Sequence, residues 1–274
     1  MYKAKKGIGG VVGFLFKLIV SAIFIFPFLW MVSLSLQTDM EISRFTLIPK
    51  TPSLENYFRA WKLAPFGLYF RNSIVIIVSI IVIQTLVMVP AAYAFAKFDF
   101  KGKGILFGII LIAFMMPTQV TFIPIYYMMA DFGWTDTLLP QIIPAMTNAF
   151  GIFLLRQYFM QVPDELRESG YVDGASELRI WAQIMVPIAA PGMASLAMVV
   201  FLWNWNNYLD PLVFLTNWRL YTIPIALTNF IEESVTEYNL VMAASASALL
   251  PVFIVFLAGQ KFFVKGLMAG AVKG

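Results

Sequence analysis

Long apolar runs separated by short polar segments dominate the chain. An α-helix needs about twenty apolar residues to cross the hydrocarbon core of a bilayer. We therefore predict an all-α polytopic membrane protein with six transmembrane helices, at about residues 11–36, 74–96, 105–130, 138–155, 184–209 and 240–263. Several runs contain prolines, including Pro117, Pro140 and Pro144. These prolines either act as hinges or reflect the general tolerance of proline in membrane helices.

One charged segment, residues 161–187, interrupts this pattern between the fourth and fifth runs. It carries seven charged side chains within sixteen residues: Asp164, Glu165, Arg167, Glu168, Asp173, Glu177 and Arg179. Because charges are costly to bury in lipid, the segment must lie outside the bilayer. Pro163 predicts the first position of a short helix. Gly174 predicts a break, with Asp173 capping a second short helix that runs through Trp181.

Two interpretations of this charged segment are open. Two short helices at an angle, with apolar side chains among the charges, could dock in a groove on a soluble protein. The same pattern is also typical of an amphipathic loop lying on the lipid surface. Amphipathicity alone favours the loop on the lipid.

Composition excludes several classes of function. Of 274 residues, 60% are hydrophobic and 12% charged, where soluble domains have about 25% charged residues. The chain contains no Cys and no His, which excludes disulfides, thiol nucleophiles and His-based metal or catalytic sites. No phosphate-binding G-x-x-x-x-G-K-[ST] run occurs. We expect no catalytic residues, no metal and no cofactor, so any energy from ATP and Mg²⁺ must enter through another subunit.

The basic residues predict an orientation. Thirteen of the nineteen Lys and Arg residues fall on the side that holds both termini, the 97–104 turn and the charged segment, and six fall on the other. Positive residues are enriched in cytoplasmic loops. We therefore place the termini and the charged segment in the cytoplasm of a bacterial or archaeal cell, and expect no nucleic-acid partner.

The spacing within the charged segment resembles a known motif. Glu168, Gly174, Ile184 and Pro187 stand at the spacings of the EAA loop of ABC importer permeases, E-A-A, three residues, Gly, nine residues, I-x-L-P. Ser169 and Gly170 replace the two alanines and keep small side chains for close approach to a partner. In that family the loop docks in a cleft of the ATPase. The resemblance implies an ATPase-coupling role for Glu168, Ser169, Gly170, Asp173, Gly174, Ala175, Ser176, Ile184 and Pro187.

Further patterns resemble one branch of the family along nearly the whole chain. They lie at residues 72–73, 91–98, 116–117, 123–126, 153–159, 205–208 and 270–274. Together they resemble the MalG-type permeases of carbohydrate-uptake ABC importers, which have the type I importer (MetI-like) fold. The resemblance implies a second, MalF-type permease, a dimer of ATPase subunits and an extracytoplasmic solute-binding protein. It divides the chain into residues 1–68, a permease core at 69–264 and a cytoplasmic tail at 265–274.

Other residues allow two interpretations each. The resemblance implies that Gly270, Ala271, Val272, Lys273 and Gly274 contact the ATPase dimer, in preference to a frayed terminus. A possible translocation path comprises Trp203, Trp205, Asn206, Asn207 and Tyr208, but an aromatic belt with hydrogen bonds between helices is favoured. An outer loop with Trp218, Glu232, Glu233 and Glu237 either enters the binding protein or is a solvated acidic loop.

The sequence disfavours three rival functions. The same architecture could import glycerol phosphate, but a phosphate pathway would favour Arg or Lys within the spans. A membrane enzyme would need a His, a Cys or paired intramembrane carboxylates. A secondary transporter usually shows inverted repeats and intramembrane ionisable groups. The prediction is therefore a permease subunit that alternates access for a sugar or oligosaccharide, and that performs no chemistry.

Overall fold

The computed structural model describes residues 8–234 and 237–271, and the side chains of residues 10–234 and 237–261. The α-helices are α1 Ile8–Ser35, α2 Asp39–Ser43, α3 Glu55–Leu63, α4 Phe66–Lys97, α5 Lys103–Met115, α6 Thr118–Asp131, α7 Leu139–Ile142, α8 Ala149–Gln161, α9 Glu165–Val172, α10 Glu177–Ile180, α11 Val186–Trp205, α12 Leu209–Phe214, α13 Ile223–Glu233 and α14 Tyr238–Ala271. The structure also contains two 3-10 turns, Pro144–Met146 and Trp218–Leu220, and one π-turn, Trp181–Met185. Within the described ranges there is no β-strand, which confirms the all-α prediction.

Four continuous helices are long and apolar enough to cross a membrane: Gly10–Ser35, Phe66–Lys97, Glu177–Trp205 and Tyr238–Lys261. A fifth crossing is possible through α5 and α6, which meet at a 95° bend. The bend lies at Pro117, and the preceding Met116 is extended, as residues before proline tend to be. The third predicted span is therefore broken into two helices.

The fourth predicted span, at 138–155, is not a single helix. Pro140 lies at the start of α7 and Pro144 begins a 3-10 turn, so the apolar run is divided before α8. Proline lacks the N–H that would continue a helical hydrogen-bond ladder. Asn148 then caps α8, with its Oδ1 accepting a hydrogen bond of 2.6 Å from the amide of Gly151. Six crossings remain compatible with this arrangement, but only four are continuous helices within the described residues.

The chain forms two compact units. The first contains residues 1–65 and 227–250, and a buried amide organises it. Asn56 of α3 donates to the carbonyls of Ser35 and Gln37 at 2.9 Å each, and it accepts from Asn239 at 3.2 Å. These bonds tie α3 to the end of α1 and the start of α14. The division predicted at residues 68 and 264 stays a prediction.

The second unit contains residues 66–226 and 251–274, and its core lies where α4 packs against α8 and α11. Ile80, Met88, Leu155 and Phe159 are completely buried there. A Cβ at Gly192 of α11 would lie 2.6 Å from the ring of Tyr158, so α11 and α8 approach closely. Since lipid tails are as apolar as a protein core, close van der Waals packing of this kind holds membrane helices together.

Candidate coupling site

The charged segment folds into α9 and α10. Helix α10 continues through the π-turn into α11, so residues Glu177–Trp205 form one membrane-length helix. The prediction that the second short helix ends at Trp181 is therefore wrong. π-turns are rare, and many of those that occur lie at functional sites. Here the π-turn joins the charged segment directly to a membrane span.

The helix ends differ from two predictions. Pro163 precedes α9 instead of occupying its first position, and Asp164 stands at the cap position. Ser176, not Asp173, caps α10, with its Oγ accepting from the amide of Arg179 at 3.4 Å. Asp173 is the residue after the last turn of α9. Only Asp173 was predicted as a cap, but the second helix begins at Glu177, so Ser176 is the residue in position to cap it.

Gly174 ends α9 with a φ of +75°. Side chains disfavour this left-handed conformation, and glycine is the usual residue at such a helix end. A Cβ at Gly174 would have open space, with no atom of the described chain within 4 Å. Its backbone conformation, not close packing within the chain, therefore accounts for the glycine.

Gly170 has a different role, because it is buried where α9 packs against α10 and the π-turn. A Cβ at Gly170 would lie 2.8 Å from Cγ1 of Ile180 and 3.4 Å from Cδ1 of Ile184. The small residue at this position was predicted to let a partner approach closely, but here it lets α10 and the π-turn pack closely against α9. It also gives Ile184 of the motif a packing role.

The outer surface of α9 and α10 mixes exposed acidic and apolar side chains. Glu168, Ser169 and Asp173 are exposed. Val172 and Leu178 have 86% and 72% of their surface exposed. Large apolar side chains exposed among charged ones are candidates for contact with a partner. We refer to the exposed face of residues 165–178 as the coupling surface.

Arg167 fixes α9 from behind this surface. Its Nε lies 3.3 Å from both carboxylate oxygens of Glu177, and its Nη1 donates to the carbonyl of Lys97 at 3.3 Å. Its guanidinium also lies over the ring of Phe98, 4.6 Å from the centroid. Glu177 in turn accepts from Tyr93 of α4 at 2.5 Å. These bonds attach α9 and α10 to the end of α4.

Lys97, the last residue of α4, makes a second attachment. Its Nζ donates to the carbonyl of Val162 and to Oδ1 of Asp164, both at 2.6 Å. The Lys97 side chain is 5% exposed, so the pair is shielded on one side. The hydrogen bond from Lys97 lowers the pKa of Asp164 below its usual range, and the lysine charge adds to this effect.

Sequence reasoning missed this framework. Arg167 and Glu177 entered the prediction only as charges of the segment, and Lys97 only as a basic residue on the cytoplasmic side and as part of the family pattern at 91–98. The one available signal was an Arg and a Glu on opposite sides of a predicted turn. Nothing in the linear pattern indicates that the end of α4 lies beside them.

The predicted translocation residues are not one surface. Trp205 is 3% exposed and stacks on Phe201 with ring centroids 5.3 Å apart, so it packs inside the chain, and the assignment of these residues to a path stays a prediction. Trp203 and Tyr208 are exposed. Asn206 donates to the carbonyl of its own helix residue Leu202. Asn207 donates to Asp210 at 2.6 Å.

The remaining predicted sites have mixed outcomes. Gly270 and Ala271 lie at the end of α14, and Val272, Lys273 and Gly274 lie outside the described residues. Glu237 of the outer loop is paired with Arg59 at 3.0 Å. Pro187 and Ala175 belong to the coupling segment, Pro187 exposed and Ala175 half-buried. The roles of the tail and the outer loop stay predictions.

Comparisons with known proteins agree with this architecture. Residues 88–268 match the family model described as binding-protein-dependent transport system inner membrane component. The arabinooligosaccharides transport system permease protein AraQ of Halalkalibacterium halodurans is 33% identical over 96% of this chain and 95% of its own. The sn-glycerol-3-phosphate transport system permease protein UgpE of Salmonella choleraesuis is 34% identical over 81% of this chain and 82% of its own.

A solved structure shows the same fold. A chain in the crystal structure of a bacterial ABC transporter involved in the import of the acidic polysaccharide alginate aligns with a TM-score of 0.84 and 24% identity. The alignment covers 96% of this chain and 99% of that one. The family match extends over most of the chain and includes the coupling surface and its attachments to α4 and α11. The chain is a multi-pass membrane permease and belongs to the binding-protein-dependent transport system inner membrane component family.

Proposed function

We propose that this chain is the transmembrane permease subunit of a sugar-importing ABC transporter, and that with a second permease it forms the path for a saccharide delivered by an extracytoplasmic binding protein. The coupling surface is the observation that carries this proposal. It presents exposed acidic and apolar groups. Arg167 and Lys97 hold it to α4, and the chain continues from it into α11. A partner that moved this surface would move α4 and α11 together.

The partner on the coupling surface is an ATPase subunit. Exposed Val172 and Leu178 suit an apolar cleft, while Glu168 supplies a charge that a basic rim can recognise. The chain itself has no nucleotide-binding loop. A solved chain with the same fold, from a bacterial alginate ABC transporter, was crystallised in complex with an alginate pentasaccharide-bound periplasmic protein, which supports a binding-protein partner here.

The solute is a sugar or an oligosaccharide. The AraQ relative supports this class. The UgpE relative supports glycerol phosphate as the second candidate. Within the predicted spans the chain carries almost no Lys or Arg to bind a phosphate, which favours the neutral solute.

In the proposed orientation, both termini and the coupling surface lie in the cytoplasm. Reporter fusions at residues 100, 170 and 274 are expected to be cytoplasmic, and those at 45, 134 and 225 external, as the distribution of basic residues predicts. An external reporter at residue 170 would separate the coupling surface from any cytoplasmic ATPase and would overturn the proposal.

The decisive experiment reconstitutes the complete complex in vesicles. The isolated chain should not hydrolyse ATP, whereas the complex should hydrolyse it faster with loaded binding protein and should accumulate sugar. Glu168→Lys should abolish this stimulation, because it reverses an exposed charge on the coupling surface. The control variant Asp99→Lys also reverses an exposed negative charge, but in the 97–104 turn, and should leave transport intact. Hydrolysis by the isolated chain, or normal coupling in Glu168→Lys, would contradict the proposal.

A further inference from the structure

A cleft with several polar side chains in a mainly apolar lining lies among the helices of the second unit. It has a volume of about 280 Å³ and lies between α6, α7, the end of α11 and α12. Its polar lining comes from Thr118, Thr121, Gln141, Asn204 and Asp210. Phe122 and Phe214 also line it, with ring centroids 6.2 Å apart. An apolar and aromatic wall with a few polar groups is typical of small-molecule sites.

Asp210 gives the cleft its charge. One carboxylate oxygen, Oδ2, accepts from Asn207 at 2.6 Å. Within the described residues the other oxygen, Oδ1, receives no hydrogen bond, and no Lys or Arg lines the cleft. Asp210 lies in the first turn of α12, just beyond the end of α11, and lines the cleft without a cationic partner among the lining residues. Its free oxygen can accept a hydrogen bond from a hydroxyl group, and its charge repels an anion.

The polar lining continues inward from the cleft. Gln141 and Asn204 also line a smaller cavity, together with Ser73 and Thr222. The Thr222 side chain is buried, and its hydroxyl has no hydrogen-bond partner among the described residues. Buried polar atoms are nearly always paired, so an orphaned hydroxyl beside a cavity indicates that the region is built for polar contents.

We infer that this cleft receives an uncharged, hydroxyl-rich segment of the transported solute, so that this subunit contributes its own contacts to the path and selects against phosphate and uronate groups. The inference rests on the proposed function and narrows its substrate class. Asp210 and Asn204 bond sugar hydroxyls, and the half-buried ring of Phe122 covers an apolar sugar face.

Cysteine protection tests the position. The chain contains no cysteine, so Thr121→Cys introduces a single thiol into the cleft. The complete complex in nanodiscs, with binding protein and ATP, is exposed to a small water-soluble thiol reagent, and the label on this chain is measured by mass. The probes are a neutral arabinooligosaccharide and a uronate oligosaccharide of equal length. Lys101→Cys, in the exposed 97–104 turn, is the control whose labelling should not depend on sugar.

The neutral sugar is expected to protect Thr121→Cys, and the uronate is not. Asp210→Asn should lower uptake of the neutral sugar about three- to tenfold, because a neutral amide makes a weaker hydrogen bond than a carboxylate. It should also reduce the ratio of neutral-sugar uptake to uronate uptake. Asp99→Asn should retain uptake. A cleft thiol that is never labelled would show that the second permease covers the site and would overturn the inference, as would labelling that sugar does not change. A wild-type complex that transports no saccharide would instead refute the proposed function itself.

Discussion

The guanidinium of Arg167 in α9 lies across the carboxylate of Glu177 in α10, with Nε 3.3 Å and Nη2 3.2 Å from the nearest oxygens. The two residues stand on opposite sides of the turn at Gly174 and close it. Both side chains are mostly shielded, at 19% and 31% exposed, and the bond from Tyr93 to Glu177 extends the contact into α4. This pair therefore connects the coupling surface to a membrane span.

Breaking this pair should uncouple transport from hydrolysis. Glu177→Gln keeps the size of the side chain and removes the charge that holds Arg167, at a cost of about 1–3 kcal/mol. The protein should still insert, but less sugar should move per ATP hydrolysed in vesicles. Arg167→Lys should give a partial defect, because an ammonium cannot reproduce the planar contacts of a guanidinium. A native ratio of sugar to ATP in Glu177→Gln would contradict this role.

Gly170 should tolerate no side chain. A Cβ there meets Ile180 at 2.8 Å, so Gly170→Leu should force α9 away from α10 and cost about 1–3 kcal/mol. We expect weaker binding of the ATPase in a pull-down of the solubilised complex, with normal membrane insertion. Ser169→Ala, at the exposed neighbouring position, should bind as the wild type does. Equal binding by both variants would show that α9 does not need this packing.

The effect of a substitution at Gly174 should depend on whether the new residue tolerates a positive φ, not on the size of its side chain. Asn tolerates a positive φ, so Gly174→Asn should be close to native, whereas Gly174→Leu should cost about 1–2 kcal/mol. Sugar-stimulated ATPase activity of the complex measures both. If Asn were as damaging as Leu, the turn would be pressed against the partner and the cause would be steric. If Gly174→Leu transported at the native rate, the coupling assignment would be wrong.

The attachment of Asp164 to Lys97 should weaken in acid. The pKa of Asp164 is lower in the folded chain than in the unfolded one. Its stabilising effect is therefore fully present above the unfolded pKa, about 3.9, and is lost as pH falls through the folded value. Hydrogen exchange of residues 161–173, corrected for intrinsic rates, should rise in this acidic range. Asp164→Asn should exchange faster already at neutral pH, whereas Asp173→Asn, the control, should match the wild type. An unchanged exchange rate in Asp164→Asn would contradict the attachment.

The sequence by itself determined the features that depend on local chemistry. Apolar runs placed α1, α4, α11 and α14, because a membrane-length helix needs only continuous hydrophobicity. The cluster of charges placed the coupling segment outside the lipid. Gly174 was expected at a break because glycine accepts a left-handed backbone without reference to any neighbour. The motif spacing gave the family, and the comparisons confirmed it.

Only the tertiary structure decided the features that depend on which helices are neighbours. Gly170 is small because Ile180 happens to pack on it, and Trp205 is buried because Phe201 and Phe70 surround it. The sequence left Pro117 as either a hinge or a tolerated proline, because tolerance of proline in membrane helices gives no means of telling a kink from a break into two helices. The partnership of Arg167 with Glu177 and the end of α4 joins residues up to 70 positions apart in the chain. Such contacts are set by packing between helices, which periodicity and composition do not encode.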